Sequence, residues 1–168
     1  MRRAFVLLAV SVAALAVAFA PGREDDGADA AASVVRVVRV VDGDTIRVSL
    51  DGRSEPVRYI GVDTPESKRP GTPVQCFARR AAAENARLVR GERLRLVFDV
   101  ERRDRFGRLL AYVYRARDGV FVNAALVRGG FARTLTVPPN VRFAARFTAL
   151  AAEARRTGRG LWSACGAA

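Results

Sequence analysis

The sequence predicts an α+β fold in which five β-strands form a small barrel and three α-helices are inserted or appended. Short stretches of alternating or β-branched apolar residues recur between turn residues, and stretches with apolar residues at helical spacing lie among them. The chain has 168 residues, half of them apolar, so it can bury one core. A single folded domain is therefore expected.

The first three strands are predicted near the beginning of this domain. The valine-rich stretch 33–41 favours a strand over a helix. Residues 45–50 alternate polar and apolar side chains, and residues 56–60 form a second stretch of this kind. Asp51-Gly52 between them is typical of a tight turn, so the two stretches are expected to form a hairpin.

Two more strands and three helices complete the prediction. Each helical segment has apolar residues on one face, and an asparagine near the start of the second and the third is a candidate cap. The strands are expected at 94–98 and 109–114, and the helices at 74–90, 123–128 and 141–156, with Asn123 and Asn140 as caps. These are the elements of an OB-type five-stranded β-barrel.

The first 32 residues are expected to lie outside the folded domain. Residues 1–20 begin with two arginines after the initiating methionine and continue as an apolar run, which is typical of a signal peptide. Retention of residues 4–20 as an N-terminal membrane anchor is the alternative, although the run is short for a full span. Residues 21–32 are acidic and rich in small residues, which favours a disordered linker. We therefore expect a secreted or extracytoplasmic domain at 33–166.

Composition excludes several kinds of chemistry. The chain contains no histidine, which excludes Ser-His-Asp triads and HExxH zinc sites. Its two cysteines cannot complete a four-cysteine zinc site, and it lacks a GxxxxGK[ST] phosphate-binding loop. A bound metal must then be held mainly by oxygen, which favours calcium or magnesium.

The chain is strongly basic, with 29 Lys and Arg residues against 17 Asp and Glu residues and a formal net charge of +12. A basic domain indicates a polyanionic partner, nucleic acid first and an anionic membrane second. The alternative is an arginine-rich composition that only keeps the protein soluble.

Candidate catalytic residues surround the predicted hairpin. Asp44 precedes its first strand and Asp63 follows its second, so both carboxylates are expected at one end, where they could bind a divalent cation. Arg58 lies between apolar residues of a strand and requires an anionic partner there. Arg108 is a second candidate for binding a phosphate, and Glu66 could orient or deprotonate water.

Each motif also has a purely structural explanation. Asp42-Gly43 could be a hairpin turn, Asp63 with Glu66 fits a capping box, and residues 104–108 could form a charged loop. Together, however, the motifs supply what phosphodiester cleavage requires in the absence of histidine. These requirements are a hard cation, arginines for the developing negative charge, and a carboxylate for the attacking water.

The motifs together resemble the staphylococcal nuclease-like (thermonuclease) family. They are VVDGDTIRV, VRYIGVDTPES, DRFGRLLAYVY, VNAALVRGGFA and a terminal GLW, and they run in order from about residue 34 to residue 162. The resemblance implies an OB-type barrel with three helices and calcium-dependent cleavage of DNA and RNA to products with 3′-phosphates. It implies no stable protein partner, and a monomer is expected.

The resemblance also implies roles for individual residues. The implied ligands of one Ca²⁺ ion are Asp44, Asp63 and the backbone carbonyl of Thr64. The implied catalytic residues are Arg58 and Arg108 on the scissile phosphate and Glu66 as the general base.

Some residues that contact the substrate in the family are replaced in this chain. The family's tyrosine before the Gly-Arg pair is replaced by Phe106, which can stack on a base but cannot donate a hydrogen bond. The family's tyrosine pair after the second helix is replaced by the segment 134–139. Phe106, Lys68 and Arg69 are the expected substrate-binding residues.

The two cysteines are expected to form one disulfide. An exported chain with two cysteines is most simply interpreted in this way. In the family's fold the C-terminal segment packs near the first helix, so the resemblance permits Cys76 and Cys165 to pair. Two unpaired thiols are the alternative.

Two other functions are compatible with a basic barrel. A non-catalytic nucleic-acid-binding OB module would use the same fold, but the chain retains all the candidate catalytic residues. A membrane-surface protein would need a basic amphipathic stripe, for which helix 141–156 is the candidate.

Overall fold

The computed structural model describes residues 33–67 and 71–166. The signal peptide or anchor predicted at 1–20 and the linker predicted at 21–32 lie outside these residues. Within the part that is described, no helix has the length and apolar character needed to cross a membrane.

The predicted five-stranded barrel is confirmed. It is closed in the strand order β1-β2-β3-β6-β5, and its neighbours are antiparallel except for β3 and β6, which run parallel. The strands of the described residues are β1 (Ser33–Val40), β2 (Thr45–Leu50), β3 (Arg53–Tyr59), β4 (Gly61–Asp63), β5 (Arg93–Val97), β6 (Leu109–Arg115) and β7 (Arg133–Leu135).

The hairpin between β2 and β3 has the predicted turn. Asp51 and Gly52 both adopt positive φ angles, 51° and 74°, as a two-residue hairpin of this type requires. The register places Thr45 opposite Arg58, so the end of the hairpin remote from the turn carries the candidate site.

The short strands β4 and β7 form a separate two-stranded sheet that the sequence did not predict. Each strand has three residues, which is too short for an alternating pattern to be recognised. Asp63 lies opposite Arg133 in this pair. The sheet thus fixes the position of one predicted metal ligand just beyond the end of β3.

Residues 33–67 and 71–166 contain three main helices, as predicted, followed by a single additional turn. They are α1 (Ala78–Val89), α2 (Val122–Arg128), α3 (Ala144–Arg156) and the short α4 (Leu161–Ala164). Helix α1 begins four residues later than expected because Phe77 has a left-handed backbone conformation with φ 68°.

The prediction that Asn123 and Asn140 cap helices is wrong. Asn123 is buried within α2, where its Oδ1 accepts a hydrogen bond from the Val113 amide and its Nδ2 donates to the Ile60 carbonyl, both at 2.9 Å. Asn140 makes a similar pair of bonds with the backbone of Glu101, at 2.8 and 2.9 Å. Both asparagines therefore satisfy backbone groups of remote segments.

The core has two parts that share the barrel wall. Alternate residues of the strands fill the barrel interior, as the pleat of a strand requires. Outside the wall, the ring of Tyr112 packs edge-on against Phe143, with 4.6 Å between centroids, and Phe121 lies 5.6 Å from Phe147. A Cβ at Gly61 would overlap the Phe147 ring, so the glycine allows α3 to pack against β4.

The predicted disulfide between Cys76 and Cys165 is present. Its Cα atoms are 5.8 Å apart, and it joins the segment before α1 to the segment after α4. The C-terminal end of the described chain is thereby attached next to the start of α1.

Candidate active site

A polar cavity of about 180 Å³ lies at the end of the barrel where β2 begins and β3 ends. It brings together both arginines and all the acids that sequence analysis assigned to the site. The ionisable residues that line it are Asp42, Asp44, Asp63, Glu66, Arg58 and Arg108.

Arg58 lines this cavity and joins two carboxylates. Its Nη1 atom is 3.1 Å from Oδ2 of Asp44, and its Nη2 atom is 3.0 Å from Oδ1 of Asp63. Nη1 also donates to the carbonyl of Val62 at 2.7 Å. The sequence-based expectation that this strand arginine has an anionic partner is confirmed, and the guanidinium is held in one orientation.

Asp44 is buried but extensively hydrogen-bonded. Its Oδ2 atom accepts bonds from the amide and the hydroxyl of Thr64, at 2.8 and 2.9 Å, in addition to its contact with Arg58. The Thr45 hydroxyl donates to Oδ1 at 3.1 Å. A Cβ at Gly43 would overlap the Thr64 side chain, so the glycine of the DGDT motif is needed for this close approach.

Asp42 belongs to the site, although its sequence context is also that of a turn. Its Oδ1 atom accepts a hydrogen bond from the Asp44 amide at 3.1 Å. Burial, followed by the charge of Asp44, raises the pKa of Asp42 to about 6. Burial also raises the pKa of Asp63, while the charge of Arg58 acts in the opposite direction. The cavity therefore concentrates negative charge.

Asp104 organises the loop that carries Arg108. Its Oδ2 atom accepts from Nε of Arg108 at 2.7 Å, and its Oδ1 atom accepts from the amides of Phe106 and Arg108 at 3.0 Å. Burial alone would raise the pKa of Asp104, but the hydrogen bonds and charge of Arg108, together with the Phe106 amide, outweigh it and lower the pKa. Sequence analysis did not assign this positioning role, although the acid four residues before Arg108 was a possible indication.

Glu66 lines the cavity, and its backbone is held by Gln75. The Glu66 amide donates to Oε1 of Gln75 at 2.8 Å, and the Gln75 amide donates to the Glu66 carbonyl at 3.0 Å. Gln75 directly precedes the disulfide-bonded Cys76. Sequence analysis missed Gln75 because nothing in the intervening segment predicts this pair of bonds.

A larger cavity of about 780 Å³ adjoins the first and shares Arg58 and Arg108 with it. Phe106 is 68% exposed at its wall, and the guanidinium of Arg105 lies 4.8 Å from the ring centroid. Leu135 and Val137 add apolar lining. Of the predicted substrate contacts, Phe106 is thus beside the site, whereas Lys68 and Arg69 lie outside the described residues.

The donor set of the small cavity has the chemistry that a hard divalent cation requires. The carboxylates of Asp42, Asp44 and Asp63 line one space, beside the backbone of Thr64. Among residues 33–67 and 71–166, no three acidic, histidine or cysteine side chains already form a cluster suited to a metal. Arg58 instead connects Asp44 with Asp63. Burial is the first cause of the raised pKa values of Asp42 and Asp63, and a positive charge beside a carboxylate acts in the opposite direction.

The fold and the site define an OB-type barrel protein whose surface cavity combines carboxylates with two arginines. The family model for staphylococcal nuclease homologues matches residues 56–164. Together with the relatives described next, this match establishes that the chain belongs to the staphylococcal nuclease family.

Similar proteins cover most of the chain. It is 38% identical over 128 residues to a thermonuclease of Staphylococcus hyicus, covering 76% of this chain and 75% of the relative. It is 40% identical over 126 residues to a thermonuclease of Staphylococcus intermedius, covering 75% and 74%. It is 42% identical over 134 residues to endonuclease YncB of Bacillus subtilis (strain 168), covering 79% of this chain and 63% of that protein.

Proposed function

We propose that this protein is a secreted, calcium-dependent nuclease that hydrolyses phosphodiester bonds in DNA and RNA. The observation that carries the proposal is the convergence of two arginines, three aspartates and Glu66 on one small cavity. The names of the relatives, thermonuclease and endonuclease, support the same reaction class.

Arg58 and Arg108 would bind the scissile phosphate. A guanidinium presents its donors in a planar fork that matches two phosphate oxygens. The carboxylate that Arg58 contacts through Nη2 belongs to Asp63, whose side chain is 54% exposed, so an incoming phosphate has access to this side of the arginine. Because these donors are already oriented, they would stabilise the negative charge that develops during the reaction.

Glu66 would act as the general base. It would accept a proton from a water molecule whose oxygen attacks the phosphorus atom. The bond from phosphorus to the 5′-oxygen would then break, leaving a 3′-phosphate on one product and a 5′-hydroxyl on the other after protonation. The two hydrogen bonds that the side chain and the amide of Gln75 make to the Glu66 backbone would hold Glu66 at the required position.

Asp44, Asp63 and the carbonyl of Thr64 would hold one Ca²⁺ ion, with Asp42 adding negative charge beside them. When bound, the ion would supply Lewis-acid polarisation of a phosphate oxygen. Calcium is proposed over magnesium because a mixed set of carboxylate, carbonyl and water ligands suits its flexible coordination.

The nucleotide next to the cleaved bond would occupy the larger cavity. The exposed ring of Phe106 offers a surface for stacking a base, and Leu135 and Val137 provide apolar contacts. Lys68 and Arg69 would contact the phosphate backbone. Phe106 cannot donate the hydrogen bond that the family's tyrosine can donate, so stacking on its ring would select weakly among bases.

Secretion is proposed from the N-terminal pattern and from the disulfide. Disulfides persist mainly in oxidising compartments outside the cytoplasm. Residues 1–20 would direct export, with residues 4–20 as an anchor if they are retained. The protein would act as a monomer.

Digestion assays with the purified chain test this function against a non-catalytic OB module. Plasmid DNA, single-stranded DNA and RNA would each be incubated with Ca²⁺, Mg²⁺ or EDTA, with Glu66→Gln as the matched control variant. The proposal expects cleavage in Ca²⁺, little in EDTA and strong loss in the variant. Binding without cleavage in every metal would favour the alternative, and full activity in EDTA would remove the metal from the proposal.

A further inference from the structure

The outer face of the barrel carries a row of arginines that begins at the active site. Arg58 on β3 lies opposite Thr45 on β2, and Arg47 is two residues further along β2 on the same face. Arg47 lies directly opposite Arg39 on β1. Because directly paired residues point to the same side of a sheet, the three guanidinium groups share one surface.

The row continues from β1 to β5. Arg36 lies opposite Ser49 of β2 on one side and opposite Arg93 of β5 on the other. Both arginines are exposed, whereas Val35 beside the first and Leu94 beside the second are buried. The arginines at positions 58, 47, 39, 36 and 93 therefore cross four adjacent strands on the outside of the barrel, and we call them the arginine row.

Two pairs within the arginine row place like charges directly opposite each other. Arg39 faces Arg47, and Arg36 faces Arg93. Like charges in such cross-strand positions destabilise a sheet. Repulsion of this kind is relieved when an anion lies between the two groups.

The described part of the protein does not supply those anions. In the described part of the chain, no carboxylate forms an ion pair with Arg36, Arg39 or Arg93, while the nearby acids Glu55 and Glu92 are paired with arginines outside the row. Arg47 is held in place by uncharged groups, because its Nε donates to the Ser54 hydroxyl at 2.9 Å and its Nη2 donates to the Ser54 carbonyl at 2.7 Å. Arg47 thus has a fixed position, and the row has available positive charge at Arg36, Arg39 and Arg93.

The length of the row matches several nucleotides. Three strand spacings of about 4.8 Å and four residues of about 3.3 Å along β2 give a path of roughly 20 Å along the curved wall of the barrel. At about 3.4 Å per nucleotide for a stacked strand, this is roughly six nucleotides.

We propose that the arginine row binds the phosphates of the substrate strand beyond the scissile bond. This inference deepens the proposed function and rests on it for one point, the phosphate bound at Arg58. A strand anchored there reaches Arg47 next and then Arg39, Arg36 and Arg93, so the row favours nucleic acid over a membrane surface. The protein would bind long strands more tightly than short ones.

The test compares two triple variants that remove the same charge. Arg36→Gln/Arg39→Gln/Arg93→Gln removes most of the row outside the active site. The control, Arg90→Gln/Arg128→Gln/Arg156→Gln, neutralises arginines that are also exposed but lie at the ends of α1, α2 and α3. Binding of labelled 4-nucleotide and 20-nucleotide single strands would be measured by fluorescence anisotropy in EDTA, at several salt concentrations.

The row variant should bind the 20-mer at least about tenfold more weakly at 0.1 M salt. The slope of the logarithm of the association constant against log salt should be less steep by about 2. Binding of the 4-mer should change less than about twofold, and the control should change little with either strand. Thermal unfolding should show no loss of Tm in the row variant, because the substitutions relieve repulsion.

Equal weakening by both triple variants, or equal weakening of both strand lengths, would overturn the proposal. Loss of binding to phosphatidylserine vesicles with unchanged binding to the 20-mer would assign the row to a membrane instead. If the unmodified chain binds strands as expected but cleaves none of them, the proposed nuclease function fails, while binding of strand phosphates along the arginine row stands.

Discussion

Glu66 and Gln75 exchange two hydrogen bonds across a segment of eight intervening residues: the Glu66 amide donates to the Gln75 side chain at 2.8 Å, and the Gln75 amide donates to the Glu66 carbonyl at 3.0 Å. Only the first of these bonds depends on the side chain of residue 75. The proposed general base is therefore positioned by a residue that a substitution can test.

Gln75→Ala should lower kcat by up to about tenfold, because it removes one hydrogen bond worth about 0.5–1.5 kcal/mol from the support of Glu66. KM should change little, since Gln75 does not line either substrate cavity. Steady-state cleavage of a short fluorogenic oligonucleotide measures both constants. Gln75→Glu is the matched control, because a carboxylate oxygen can still accept the bond. Equal kcat values for the alanine variant and the unmodified chain would contradict the positioning role.

Arg58→Lys should reduce kcat by roughly 100-fold or more, scaled from the ~2.7–4 kcal/mol lost when a transition-state donor is removed. A lysine keeps the charge but cannot contact two anionic oxygens in a planar fork. Arg115→Lys is a suitable control, because Arg115 forms an ion pair with Asp118 away from both cavities. Near-normal turnover of Arg58→Lys would remove this residue from the active site.

Asp104→Asn should change how stability depends on pH. The folded-state pKa of Asp104 is lowered, so its stabilising contribution is present above the unfolded pKa of about 3.9 and is lost as pH falls through the folded value. The asparagine variant should be less stable than the unmodified chain at pH 7, and this difference should shrink in acid. Urea unfolding from pH 2.5 to pH 7 measures the effect. A difference in the free energy of unfolding that stays constant from pH 2.5 to pH 7 would contradict the lowered pKa of Asp104.

Removal of the disulfide should lower the free energy of unfolding. Cys76 and Cys165 are separated by 89 residues, and chain entropy for so long a loop gives about 4–5 kcal/mol as an upper estimate. Urea unfolding of Cys76→Ser/Cys165→Ser, compared with the oxidised chain, measures this loss. The oxidised chain treated with reductant should approach the same value. Unchanged stability in both cases would show that the crosslink constrains little in the unfolded ensemble.

The elements that sequence analysis predicted correctly are those in which neighbouring residues carry the pattern. Alternation of side chains and the Asp51-Gly52 turn predict the hairpin, and the hairpin in turn predicts that Asp44 and Asp63 share one end. The prediction of an anionic partner for Arg58 followed from its apolar neighbours, because a buried guanidinium requires compensation.

The features that were missed depend on contacts between remote segments. Asn123 looks like a helix cap in its local sequence, yet its side chain bonds to Ile60 and Val113 instead. The bond from Glu66 to Gln75 and the pairing of β4 with β7 likewise require knowledge of which segments meet. Local sequence does not show which remote segments come into contact. It predicts an element only where the segment is long enough for a periodic pattern of side chains to be recognised.

The parallel pairing of β3 with β6 has a further consequence for the timing of activity. This pairing sets Arg58 opposite Leu110 and so brings it beside Arg108, although fifty residues separate the two arginines in the chain. Neither half of the sequence can bring the two arginines proposed to bind phosphate together by itself. On the proposed export route, a chain that crosses the membrane unfolded would therefore be inert toward the nucleic acids of the cell that makes it. The chain would need no inhibitor or propeptide to remain inactive before export, because closure of the barrel outside the cytoplasm would itself activate the enzyme.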